Sequence, residues 1–208
     1  MKLQKPKFWD STKFSFWVIL LFPISILFLL FSYIKKLKSP KKFSIPVICV
    51  GNIYLGGTGK TPLVSEIFKI TKSLGKNPAF IKKQYDYLED EITMLKKLGK
   101  TFVSKKRIEA IESLIENKND LAILDDGFQD FTISKNLSIV CFNQIQWIGN
   151  GFTIPSGPLR EKMSALKRAH CVFINGKANK EIENEINKKK KDIEIYYSKY
   201  KPLDISKF

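Results

Sequence analysis

The sequence predicts an α/β fold: a parallel sheet with helices on both faces, preceded by an N-terminal hydrophobic membrane helix. Three observations carry that expectation. From Ser44 onward, short apolar runs alternate with helical stretches, an order that needs crossover connections between parallel strands. The first of those runs, Val47-Ile-Cys-Val50, enters a glycine-dense turn that ends in Gly59-Lys60-Thr61 before a helical pattern begins, the strand–loop–helix order of a phosphate cradle. Ahead of both, residues 14–34 form a run of 21 without a charge, bounded by Lys13 and by Lys35-Lys36.

That run sets the organisation: 1–43 is a basic N-terminus with the membrane helix, and 44–208 is the α/β domain. About 20 apolar residues cross a hydrocarbon core, and Trp17 and Tyr33 stand near the ends as interfacial anchors would. The run is too long for a signal peptide, and no small-residue cleavage site follows it. Pro23 leaves open a kinked helix lying partly in one leaflet. Lys35, Lys36, Lys38, Lys41 and Lys42 outnumber Lys2, Lys5, Lys7 and Lys13, which favours a cytoplasmic C-terminal domain and sets the lysine cluster against anionic headgroups.

Strands are expected at 45–50, 78–81, 101–103, 120–125, 137–142 and 171–174, with a further candidate at 193–197. Helices are expected at 60–74, 88–98, 105–117 and 179–190, the first three connecting successive strands. In such sheets ligands bind at the carboxyl ends of the strands. In helix 105–117, Ile108, Ile111, Leu114 and Ile115 share one stripe and belong to the core.

Composition excludes several chemistries. The 208 residues carry 36 Lys and Arg against 20 Asp and Glu, a net +16. The lysines are spread widely and no known nucleic-acid-binding motif appears, so the charge reads as solvated surface or as a membrane-facing patch, and no nucleic-acid partner is expected. Cys49, Cys141 and Cys171 sit in separate apolar runs and read as buried strand thiols. His170 is the one histidine; it cannot build a His-based zinc site or a Ser-His triad within this chain, and a structural place at a strand start suits it.

Three segments carry chemistry. In Gly56-Gly-Thr-Gly-Lys-Thr61, backbone N–H groups point at phosphate oxygens, Lys60 reaches the β/γ end and the Thr61 hydroxyl can ligate Mg²⁺, so a nucleoside triphosphate and Mg²⁺ are expected. The pattern is irregular, because Tyr54 stands where a glycine is usual. Leu121-Ala-Ile-Leu-Asp125-Asp126 is an apolar strand ending in two carboxylates. One of them would hold the metal with Thr61 while the other orients the nucleophile or a water. The two segments together make a P-loop NTPase-like sheet. Third, Ile154-Pro-Ser-Gly-Pro-Leu-Arg160-Glu161 is a proline-punctuated loop presenting one of only three arginines, Arg107, Arg160 and Arg168, and an arginine fork suits phosphate.

Val-Gly-Asn-Ile followed by Gly-Gly-Thr-Gly-Lys-Thr-Pro, then Leu-Asp-Asp-Gly-Phe-Gln, then Pro-Ser-Gly-Pro-Leu-Arg-Glu, behind a hydrophobic helix, resembles tetraacyldisaccharide 4′-kinase. The resemblance covers essentially residues 1 to 200, and the family shares the variant glycine loop. It implies ATP- and Mg²⁺-dependent phosphorylation of the 4′-hydroxyl of the tetraacyldisaccharide 1-phosphate lipid A precursor, at the cytoplasmic face of the bacterial inner membrane. The partners implied are the acylated disaccharide substrate and anionic inner-membrane lipids. By this resemblance Asp90, in Glu89-Asp-Glu-Ile92, matches the family's catalytic aspartate, and Arg107 and Arg160 meet substrate or nucleotide phosphates.

The departures bear on activity. The family's Ser-Arg-Gly-Tyr-Gly stands here as Lys82-Lys-Gln-Tyr-Asp86, and family members run on through a second α/β portion that supplies a histidine partner for the aspartate. This chain stops at Phe208, so it is expected either to be a fragment or to have lost that dyad. The expected mechanism puts ATP on 56–61, Mg²⁺ on Thr61 and Asp125 or Asp126, and Asp90 on the sugar hydroxyl, with Lys60 and Asp126 counted among the catalytic groups. The alternative is a membrane-tethered nucleotide-binding protein of the same fold without kinase activity.

Overall fold

Seven strands, all parallel, form one sheet: β1 (Val47–Gly51), β2 (Pro78–Lys83), β3 (Thr101–Ser104), β4 (Leu121–Asp125), β5 (Leu137–Asn143), β6 (Cys171–Asn175) and β7 (Glu194–Ser198), in the order β3-β2-β4-β1-β5-β6-β7. The computed structural model describes residues 5–11, 15–37, 39–85 and 89–199. Expectations attached to Lys2, Lys13, Phe14, Lys38, Asp86, Leu88 and 200–208 lie outside the described residues. The seventh strand, a candidate from sequence, pairs with β6 from Cys171↔Glu194 to Asn175↔Ser198.

Strand residues alternate between two cores, which is why the strands read as continuous apolar runs. Val47, Cys49, Ala79, Ile81, Ala122, Leu124, Val140, Phe142, Val172 and Ile174 face one side, where α4 (Arg107–Glu116), α5 (Lys180–Asn187) and a short 3-10 helix, Met163–Arg168, cover them. Val50, Phe80, Ile123, Ile139 and Cys141 face the other, under α2 (Lys60–Ser73) and α3 (Glu89–Leu98). Phe68 of α2 stacks on Phe80 of β2 with ring centroids 4.5 Å apart. Each such fully buried large side chain contributes about 1.5–3 kcal/mol of transfer free energy.

Element ends differ from expectation for local reasons. β1 starts two residues late because Pro46 has no N–H for the ladder, although its carbonyl accepts from Ala122 N at 3.1 Å. Helix α4 starts at Arg107 because Ser104 Oγ accepts from Lys106 N, which stays extended. Helix α5 starts after Asn179, whose side chain accepts from Glu181 N and Ile182 N, and it ends before the lysine run.

Helix α1 (Phe16–Lys36) contains Pro23 and presents an apolar surface outward, with Phe16 71 % and Leu27 65 % exposed. Only Val18 and Ser25, seven residues apart, are buried in it. Ser25 Oγ donates to Thr153 O at 2.9 Å and accepts from Ser156 N at 3.1 Å. Ser156 Oγ reaches Val18 O, and Lys36 pairs with Glu161 at 2.9 Å. The 151–161 loop therefore runs along α1 from its first turns to its end.

The order reverses about β1. Connections through α2, α3 and α4 build the sheet to one side, and the chain leaving β4 crosses β1 to start β5 on the other. The carboxyl ends of β1 and β4 are thus the switch point where such sheets bind ligands.

Candidate active site

The glycine loop is held from beneath. At the end of β1 a Cβ on Gly51 would stand 2.5 Å from Phe128 Cβ, so only glycine lets the 126–128 turn pack this close. Asn52 is fully buried, and its Nδ2 donates to Gly56 O at 3.2 Å and to Thr58 Oγ1 at 3.0 Å, which folds the loop back on itself. Gly59, with φ +88°, turns the chain in the left-handed region and starts α2. First-turn N–H groups lack intrahelical partners, so the positive end of α2 opens on the loop. Tyr54, the irregular position, is a core residue. It is fully buried, its ring lies under Gly56, and its hydroxyl accepts from Lys5.

The same loop docks the proline-punctuated segment. Arg160 N donates to Ile53 O at 2.7 Å, Leu55 N donates to Pro158 O at 2.8 Å, and Tyr54 and Leu159 form an antiparallel bridge. This short ladder delivers Arg160 to the glycine loop. Its Nη1 donates to Asp126 Oδ1 and Oδ2 at 2.8 and 2.9 Å, and Lys60 Nζ lies 4.0 Å from Asp126 Oδ1. Asp126 itself has φ +59° and is anchored by its N donating to Val50 O at 2.9 Å. Burial pushes its carboxyl up, but Lys60, Arg160 and Arg107 outweigh burial and hold it below the ordinary value.

Adjacent Asp125 meets a different environment. It is fully buried and takes the ammonium of Lys82, which is 3 % exposed and also donates to Glu91 Oε2 at 2.6 Å. Burial would lower Lys82, yet Asp125 and Glu91 raise it above its ordinary value, so it stays an ammonium. Burial pushes Asp125 up against the pull of Lys82. Its second oxygen, Oδ1, is buried without a hydrogen-bond partner in the protein, an orphan that a bound cation would satisfy.

A cavity of about 700 Å³ opens over these groups. Gly56, Gly57, Thr58, Gly59, Lys60, Thr61, Asp126 and Arg160, all singled out from sequence, line it, and Tyr85 and Glu91 join them. Asp125 lies beneath. Arg107 is drawn elsewhere: it is buried, with Nη2 donating to Asp126 O at 2.7 Å and Nη1 to Asp130 Oδ2 at 3.2 Å. It shapes the 126–130 turn rather than facing the cavity. Asp90 stands exposed in the first turn of α3 and is not among the cavity residues.

Four contributors carry little sequence signal. Lys82 and Glu91 sit in segments that read as strand end and charged helix start, and Glu161, 2 % exposed, gathers Arg168, Lys36 and Gln129. The fourth, Asn52, stands inside the Val-Gly-Asn-Ile motif. The remaining expectations on residue type hold. All three cysteines are free and buried, and burial pushes the thiols of Cys49 and Cys171 to about 11 and that of Cys141 to about 12. His170, just before β6, accepts through Nδ1 from Ser138 N at 2.9 Å.

Helix-end N–H groups, Lys60 and Arg160 make a site for a polyphosphate, with carboxylates at hand for a cation or a proton. A family model described as Tetraacyldisaccharide-1-P 4′-kinase matches residues 17–207. The tetraacyldisaccharide 4′-kinase of Pelagibacter ubique (strain HTCC1062) is 48 % identical over 100 % of this chain and 67 % of its own length. That of Rickettsia canadensis (strain McKiel) is 35 % identical over 88 % of this chain and 61 % of its own length. The chain thus spans about two thirds of the curated relatives it matches. Among solved structures, the "apo" form of LpxK from Aquifex aeolicus in complex with ATP superposes with a TM-score of 0.64 at 25 % identity, over 76 % of this chain and 58 % of that one. The signal recognition particle 54 kDa protein of Aeropyrum pernix K1, in complex with GDP, shares the fold with a TM-score of 0.55 at 10 % identity, over 88 % of this chain and 49 % of that one.

Proposed function

The chain belongs to the tetraacyldisaccharide-1-phosphate 4′-kinase family, and from that premise we propose that it binds ATP in the glycine-loop cavity and phosphorylates the 4′-hydroxyl of the acylated disaccharide 1-phosphate. The observation that carries this reading is the meeting of Lys60 and Arg160 on Asp126 beside the Gly56–Thr61 loop. The Aquifex relative's ATP complex supports the nucleotide.

In the proposed reaction the sugar oxygen attacks the γ-phosphorus, the bond to the β–γ bridging oxygen breaks, and ADP leaves. Lys60 and the α2 N-terminus bind the phosphates, and Arg160 balances charge on the group in flight. Asp126, held ionised, keeps both cations aimed at the loop. The hydroxyl proton passes to a carboxylate at the start of α3, where Asp90 is the family match and its neighbour Glu91 lines the cavity. Mg²⁺ would be held by the Thr61 hydroxyl and by Asp125, whose orphaned Oδ1 fits it, and when bound it neutralises phosphate charge.

We place the chain on the cytoplasmic face of the inner membrane with α1 lying along the bilayer surface. Ser25 is eleven residues before Lys36, about 16 Å along a helix and so near the midplane if α1 stood upright. Upright, its bonds to Thr153 and Ser156 would drag a polar loop into hydrocarbon, where unsatisfied backbone is not tolerated. Lying flat, α1 buries its exposed apolar face in one leaflet and keeps the cavity near an acylated substrate.

The test is radiolabelled phosphate transfer from ATP to tetraacyldisaccharide monophosphate by the full chain, with Lys60→Ala as control. Transfer by the native chain and none by the variant is expected. ATP binding without transfer overturns the kinase reading and leaves the second one, a nucleotide-binding protein, which the exposed placement of Asp90 favours.

A further inference from the structure

Asp126 faces the glycine loop, but Phe128 and Phe131, further along the same turn, line a second cavity of about 310 Å³ with Lys36, Lys135, Arg168 and His170. Its walls are cationic and aromatic. The Arg168 guanidinium stands 4.7 Å from the centroid of Phe128 and 4.9 Å from that of Phe131, and Lys36 Nζ stands 5.2 Å from Phe131. Among the described residues the ion pairs of Lys36 and Arg168 both end on one carboxylate, Glu161. Lys135 donates to carbonyls, Asp130 O and Phe128 O, and forms no ion pair among the described residues. Three cations therefore share one anion, leaving the cavity about two charges positive. Because His170 Nδ1 accepts from Ser138 N, its Nε2 carries the ring proton and is a further donor.

Two observations identify what would balance that charge. The cavity is less than half the volume of the nucleotide cavity, which suits a single phosphate with a short stub. Lys36, one of its walls, is also the last residue of α1, whose outer face is apolar and exposed. The basic pocket thus sits where the membrane-facing helix ends, at the level of headgroups. We infer that this cavity binds the phosphate of an anionic membrane phospholipid, with Arg168, Lys36 and Lys135 as its cationic ligands and the Phe131 ring against the glycerol stub. Burial, aided by Arg168 and Arg107, lowers Lys135 below its ordinary value against the pull of Cys49 and Asp130. The inference rests on the reading of α1 as a membrane-surface helix.

The test uses the full chain and short-chain lipids in solution, so no bilayer is needed. Titration calorimetry with dihexanoyl phosphatidylglycerol should show binding that Lys135→Gln weakens by about tenfold, the size of one charge-assisted contact, while ATP binding is unchanged. Lys36→Gln, at a half-exposed position, should weaken it too and serves if Lys135→Gln does not fold. Equal binding of dihexanoyl phosphatidylcholine, or binding indifferent to both variants, overturns the inference. Inorganic phosphate binding as tightly as the lipid makes this a free-anion site and overturns the lipid assignment. Displacement of the lipid by ATP assigns the heat to the nucleotide cavity, with the same consequence. Since ATP binding is read separately, loss of the lipid site leaves the kinase reading untouched.

Discussion

At the carboxyl edge of β1 and β4 each cation meets a carboxylate, whereas along α1 the exposed surface is almost wholly apolar. Lys60 and Arg160 close on Asp126, and Lys82 on Asp125. Phe16, Leu27 and Phe31 stand more than half exposed. The first region is organised from within, by charges that fix one another's positions before any ligand arrives. The second is organised from outside, because an apolar face of this extent needs a partner that is not water. Substitutions in the first should therefore alter phosphate binding or transfer, and those along α1 should alter docking while sparing the site.

The largest expected effect is at Asp125. Asp125→Ala leaves the buried Lys82 ammonium with Glu91 as its one remaining carboxylate among the described residues and should cost about 3 kcal/mol by chemical denaturation. The double change Asp125→Leu with Lys82→Met should recover most of that stability without restoring phosphate transfer. Equal losses in the single and double variants would mean that the pair is not electrostatically coupled. Next comes Arg160→Lys, which keeps the charge but loses the fork. Transfer should fall about tenfold with little change in melting temperature. Along α1, Ser25→Ala should weaken docking of the 151–161 loop by about 1 kcal/mol, seen as faster amide exchange at Ser156 with ATP affinity unchanged. A change in ATP affinity would erase the contrast between the two regions.

The smallest expected effect is a dependence on pH. Asp126 is held below the ordinary carboxylate value by Lys60 and Arg160 against its burial. Its contribution to stability is therefore complete above about pH 4 and fades as pH falls through the depressed folded value. The stability gap between the native chain and Asp126→Asn should be full at neutral pH and should narrow only in acid. A gap that widens in acid would contradict the pairing.

The fold was legible because burial on both sheet faces writes each strand as an unbroken apolar run, and because glycines mark the loop that must approach phosphate. What sequence left open was the direction of side chains. Asp125 and Asp126 are neighbours, yet the strand end turns one into the sheet and the other, at φ +59°, toward the loop. Asp90 and Glu91 differ by one position, which on a helix is a rotation of about 100° and decides which lines the cavity. Lys82 reads as part of a strand end until the pairing of β2 with β4 sets it beside Asp125. Arg107 carries the charge expected of a phosphate ligand, but the 126–130 turn takes it. Tyr54 looks like a missing glycine and is instead the floor of the loop. In α1, Ser25 is an inconspicuous residue in an apolar run, and only the 151–161 loop makes it a docking point.

The central claim is that Lys60 and Arg160, held on Asp126, form the phosphate site of a nucleoside triphosphate. Equilibrium binding of a fluorescent ATP analogue to the full chain, compared with Lys60→Ala, tests it most directly. Competable binding by the native chain that falls at least about tenfold in the variant, with an unchanged melting temperature, is the predicted result. Equal affinity of the two proteins for the analogue would contradict it.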